Sequence, residues 1–214
     1  MLNFILKCRE KKWINIFVIY LRYLIGGAFA FSAIPKISGL RFTTANSEAA
    51  PINSWMHFFE TLYRSGIYWE FLGWGQLIAA LILMSQKYAT LGALLFLPII
   101  LNVFVITVSY QMTGTIVITS LMLVANIFLV LWDFHKISFL FSSNTKEEII
   151  IKNYYDTFYN HIFWSRLGIL LFVTTDIYVI INDRNPTIWF LICCAEGLIG
   201  FFYMNKIKNK IESL

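Results

Sequence analysis

Six stretches of this sequence are apolar enough and long enough to cross about 30 Å of hydrocarbon as helices, which limits the fold more than any motif does. They are Trp13–Ile34, Trp69–Met84, Tyr88–Val108, Gly114–Trp132, Ile162–Ile181 and Thr187–Met204. The second and last are short, and Asp176 and Glu196 interrupt the last two. Charged residues make up 14% of the chain and hydrophobic residues 58%, whereas soluble domains carry about 25% charged residues. So few charges cannot cover a soluble protein of 214 residues, so lipid is expected to cover much of it. Inside lipid the backbone must satisfy its own polar groups, which makes the spans helical. The expected fold is an all-α polytopic membrane protein: a four-helix transmembrane bundle plus a C-terminal transmembrane helix pair.

Loop charges set the expected orientation. With the N-terminus in the cytoplasm, Lys7, Arg9, Lys11, Lys12, Lys87, Lys136, Lys146, Lys152, Lys206, Lys208 and Lys210 all lie inside. Only Lys36, Arg41, Arg64 and Arg184 then lie outside. That bias places both termini in the cytoplasm of a bacterial inner membrane. The first span is expected to be retained, because Arg22 interrupts what would be the core of a signal peptide. Residues 1–133 form the front bundle with an external loop at 35–68. Residues 134–161 form a cytoplasmic linker, and 162–214 the back pair with a basic tail. The external loop carries Trp55, His57, Phe58, Phe59, Tyr63 and Tyr68. These predict a short interfacial helix over Ile52–Tyr63 and make Trp55 and Phe58 candidates for docking a partner.

Several functions are excluded by what the chain lacks. The net charge of +5 sits at chain ends and in short loops, with no basic face interleaved with aromatics for nucleic acid. Cys8, Cys193 and Cys194 include no CxxC pair. His57, His135 and His161 lie in or near loops, so no histidine pair sits at bilayer depth to hold a haem. No metal-ligand cluster, phosphate loop or dinucleotide fingerprint is present.

Polar residues inside the spans are the candidate site, because an ionisable group there costs at least ~2.5–3.5 kcal/mol and needs a partner or a cavity. Thr119, Asn126 and Asp133 recur every seven residues and share a helix face. Arg22 is expected at the same depth as Asp133, paired with it directly or through Asn126, or else reaching alone toward the headgroups. Near the other end Lys36 and Glu70 either meet, with Gln76 reaching into the bundle, or stand as separate interfacial charges. Pro98 and Asn102 mark a possible break in the third span that either lines a small cavity or bonds a neighbouring helix. Glu196 is read as a proton or ligand site, or as a hydrogen-bonded packing residue. Gly26, Gly27, Ala30 and Ala33, facing Gly73, Gly75, Ala79 and Ala80, are expected to let two helices approach closely.

One set of residues resembles a known family. Arg22 followed by Gly26, Phe29, Ser32 and Lys36, then Glu70 through Gln76, and Ala89 to Gly92, is similar to the DoxX-like membrane proteins over roughly residues 20–133. The resemblance implies a four-helix bundle associated with redox partners, with Arg22, Lys36, Glu70 and Gln76 as the carried-over positions and a quinone as the expected apolar ligand. The long external segment and the back pair depart from that family's pattern. Three functions follow as expectations. One is a quinone or other apolar-ligand binder supporting a redox partner, with Arg22, Gln76 and Asn102 lining the cavity. The others are a scaffold subunit of an inner-membrane complex or homo-oligomer, and a proton-coupled transporter using Asp176 and Glu196.

Overall fold

The computed structural model describes residues 8–9, 11–41, 47–137, 162–181 and 185–212. Helix α1 spans Lys12–Ile37, α2 Trp55–Arg64, α3 Ile67–Met84, α4 Ala89–Ser109, α5 Thr115–Trp132 and α6 Phe134–Ile137; α7 spans Ile162–Ile181 and α8 Pro186–Glu212. Among the described residues there is no strand. Six of the helices, all but α2 and α6, are long and apolar enough to cross a membrane. The chain is an all-α, multi-pass integral membrane protein.

Helix ends follow local chemistry more than hydropathy. The short helix α2 begins at Trp55 rather than Ile52, because Ser54 caps it by accepting from the His57 backbone N–H at 3.2 Å. At α8, Pro186 takes the first helical position, where its missing N–H costs nothing. Asn185 Oδ1 accepts from Thr187 N at 3.0 Å. That helix continues to Glu212, well past the apolar run. The linker beyond Ile137 lies outside the described residues, as do Lys7, Lys146, Lys152 and Arg184.

Between helices in lipid, close van der Waals packing replaces the hydrophobic drive. Helix α1 crosses α3 antiparallel, with Gly26 against Met84 and Ala80 at one end and Ala33 and Lys36 against Gly73 at the other. Gly75 has open space beside it and takes no part in this contact. Helix α7 joins the same core: Trp164, Leu167 and Leu171 are buried in one cluster with Ile19, Leu83, Phe96 and Leu129. The back pair therefore packs onto the front bundle through α1 and α3.

At the end of the bundle where α2 lies, a second polar cluster holds the loop in place. Glu60, itself buried, accepts from Arg41 Nε at 2.9 Å and Nη2 at 3.1 Å, and from Arg64 Nε at 3.2 Å. Arg64 also pairs with Glu48. The hydrogen bonds from Arg41 hold the Glu60 carboxyl below its ordinary value of 4.5, with burial opposing them and Arg64 assisting. A depressed carboxyl contributes its stabilisation at higher pH and loses it as pH falls through the folded value. Protection of the α2 amides, the ratio of intrinsic to observed exchange rate, is therefore expected to be high at neutral pH and to fall on acidification below about pH 4.5. In Glu60→Gln protection should already be low at neutral pH, with no such step; an unchanged pH profile of protection in that variant would show that another group controls the loop.

Candidate functional site

Asp133 is the centre of the polar residues at the opposite end. It follows the last residue of α5 and is almost completely buried. Its Oδ2 accepts from Arg22 Nη2 at 2.7 Å and from Thr90 Oγ1 at 3.0 Å, and its Oδ1 from Arg9 Nη2 at 3.0 Å. Arg9 also donates to the Trp132 carbonyl and lies over the Trp132 ring, 5.1 Å from its centre. Arg22 donates its other terminal nitrogen to Gln86 Oε1 at 2.9 Å. Gln86 sits in the α3–α4 turn with φ of 61°, a left-handed conformation uncommon for a residue with a side chain. The carboxylate thus ties together the segment before α1, α1 itself, the start of α4 and the end of α5, while Arg22 adds the α3–α4 turn.

Arg22 and Asp133 meet directly, not through Asn126. Asn126 Nδ2 instead donates to the Ala93 carbonyl at 3.1 Å, one step deeper between α4 and α5. Thr119, next in the same series, shares a hydrogen bond of 2.9 Å with Thr107. The heptad face is therefore a polar seam joining α4 to α5. Arg9, Gln86 and Thr90 were not singled out by the sequence, because each lies in or beside a loop.

The remaining expected site residues are dispersed. Lys36 is buried, donates to the Ser32 carbonyl and lies over the Trp69 ring at 5.4 Å. Glu70 is exposed, and no ion pair joins it to Lys36 among the described residues. It lies off the buried face of α3, which runs through Trp69, Gly73, Gln76 and Ala80, so it leaves the expected buried network. Gln76 is buried. Asn102 and Pro98 lie on the exposed side of α4, whose buried face runs through Gly92, Ala93, Phe96 and Ile100. Asn102 is exposed on that side, and α4 continues through Pro98. Phe58 stacks against Tyr110 at 5.2 Å, anchoring α2 to the α4–α5 turn, and Trp55 is half-buried. Glu196 is half-buried and accepts from Thr174 Oγ1 at 2.9 Å.

A cavity lies against the back pair of helices. A groove of about 560 Å³ runs between α1, α7 and α8. Helix α1 supplies Trp13, Ile16, Phe17, Tyr20, Leu24 and Gly27 to one wall. Helix α7 supplies Leu171 and Thr175, and α8 supplies Trp189, Cys193, Gly197 and Phe201. The tyrosine and threonine hydroxyls and the Trp189 indole in its lining are already committed. Tyr20 donates to the Gly197 carbonyl and Tyr23 to the Trp164 carbonyl. Trp189 Nε1 donates to Thr175 Oγ1 at 3.1 Å, which in turn donates to the Leu171 carbonyl at 2.8 Å.

No protein-family model, curated protein or solved structure matches this chain. The site must therefore be read from its geometry. Among the described residues no group of three histidine, cysteine or acidic side chains is placed to hold a metal ion. What the geometry offers is a buried ionic clamp at one end and an apolar groove between α1, α7 and α8.

Proposed function

We propose that this integral membrane protein binds an apolar, chain-bearing ligand in the α1/α7/α8 groove and acts as a ligand-carrying subunit for a membrane partner. The groove carries this reading: a large concave site with an almost wholly apolar and aromatic lining suits hydrocarbon. The DoxX-like resemblance suggests a quinone. A quinone ring needs donors for its carbonyl oxygens, and the tyrosine hydroxyls, Thr175 and Trp189 in this groove already donate within the protein. The inner lining therefore suits a quinone's tail better than its ring, and no electron-transfer step is assigned to it. The clamp at Asp133 is read as structural, since its carboxylate accepts from three side chains and leaves no evident place for a ligand.

The test is a mild-detergent purification followed by identification of every bound apolar molecule. The native protein should retain about one chain-bearing ligand per copy. Cys194→Trp, which fills the groove from an exposed position of α8, should lower that retention at least tenfold with helicity unchanged. Equal retention in the two proteins would place the ligand outside the groove and end this reading.

A further inference from the structure

The groove has a mouth and a floor. On α1 its lining residues Trp13, Ile16, Phe17, Tyr20, Leu24 and Gly27 form one stripe at the three-and-four spacing of a helix face. The ring pair Trp13–Phe201, 6.1 Å between centres, marks one end. At the other end the Trp189 ring lies over Gly27, close enough that an added Cβ there would meet it at 3.3 Å. Trp189 is fixed in that position by Phe31, 4.9 Å away, and by its hydrogen bond to Thr175. From Trp13 to Gly27 is about 21 Å at 1.5 Å per residue. One leaflet holds about half of the ~30 Å hydrocarbon core. The slot therefore begins at the interface, passes the middle of the bilayer and stops against an indole near the start of α8.

The mouth carries charge. Lys12 precedes Ile16 by four residues and Tyr20 by eight, so it continues the groove stripe outward, and Lys11 adjoins it; both are exposed. No acidic residue lines the groove. An apolar slot about 21 Å long with lysines at its rim matches a molecule with an acyl chain and an anionic headgroup.

We infer that the groove is a binding site for one acyl chain of an anionic phospholipid, with the phosphate at Lys11 and Lys12 and Trp189 setting the depth to which the chain enters. The assignment rests on the groove being a ligand site, and it names the ligand class. A quinone tail would fill the same slot but gains nothing from the lysines, which separates the two occupants.

The experiment equilibrates the full chain in neutral detergent micelles with equal amounts of phosphatidylglycerol and phosphatidylcholine of matched chains, and counts bound lipids by native mass spectrometry. Phosphatidylglycerol should be preferred about 30-fold, at about fivefold per lysine, the equivalent of about 1 kcal/mol each. In Lys11→Gln/Lys12→Gln the preference should fall close to one while total lipid bound remains. Cys194→Trp should remove both lipids. In the native protein, lengthening the chain should strengthen binding until it reaches Trp189 and not beyond; Trp189→Phe should move that limit to longer chains. Equal binding of the two lipids, or a preference unchanged by the lysine substitutions, would overturn the anionic assignment while leaving the groove as an apolar-ligand site. Lipid retention unaffected by Cys194→Trp would overturn both.

Discussion

Asp133→Ala is expected to cost the folded protein about 3–5 kcal/mol, the usual penalty for removing one partner from a buried ion pair. The reason is the number of groups that share this carboxylate. Arg9, Arg22 and Thr90 all donate to it, and all three residues that carry charge are nearly inaccessible. Without it, two guanidiniums face each other at the edge of a low-dielectric region, where their repulsion is weakly screened. The measurement is unfolding in mixed micelles, followed by far-ultraviolet circular dichroism and by tryptophan fluorescence. The same geometry predicts that exchanging Arg22 and Asp133 does not rescue either single change. An arginine at 133 would then oppose Arg9, so the double variant should be no more stable than Asp133→Ala. Apolar replacement of the whole cluster, with Arg9→Met, Arg22→Met and Asp133→Leu together, should recover much of the loss, because a buried ionic group costs desolvation that hydrocarbon does not. A loss below about 1 kcal/mol in Asp133→Ala would mean that water reaches the cluster and that the clamp is a surface pair.

The Arg22–Asp133 contact could be anticipated because hydrocarbon makes isolated charge costly, so two opposite charges at one depth are driven together. The same reasoning missed Arg9. In one dimension Arg9 is one of several basic residues before the first span, and nothing in the sequence distinguishes it from Lys11 or Lys12. Only the path of the chain before α1 carries it under Trp132. Lys36 and Glu70 show the limit of the same reasoning: depth alone left open whether they meet or stand apart, and only the helix faces decide, since Glu70 points outward. Asn102 was expected inside because it is polar, whereas the helix places it away from the buried stripe of α4. The six spans were legible because their length is fixed by the bilayer. The groove was not, since Trp13, Phe17, Trp189 and Phe201 look like ordinary lipid-facing aromatics until α1 and α8 are set side by side.

Glycines show the same limit and carry the second large effect. Gly92 and Gly168 were not read as packing residues, yet both meet the end of α3. A Cβ at Gly92 would lie 2.6 Å from Leu83 Cα, and one at Gly168 would strike the Met84 carbonyl and lie 2.8 Å from the Tyr23 ring. The obstacle in each case is backbone, which cannot rotate away as a flexible side chain can. Gly168→Ala should therefore push α7 off α1 and α3, at a cost of about 3 kcal/mol, the upper end for overpacking. The displaced helix would carry Leu171 and Thr175 out of line with α8, so bound ligand should fall together with stability. Gly75→Ala is the control: open space surrounds that position, and alanine is the better helix former by up to about 1 kcal/mol, so it should leave stability level or raise it slightly. Gly26→Ala falls between, because its Cβ would meet the Met84 side chain, which can shift. The order of cost should be Gly168 above Gly26 above Gly75, read from denaturant midpoints in micelles and from ligand retained through purification. If Gly168→Ala were as stable as Gly75→Ala, α7 would not be seated against Met84, and the wall that α7 gives the groove would be lost with it.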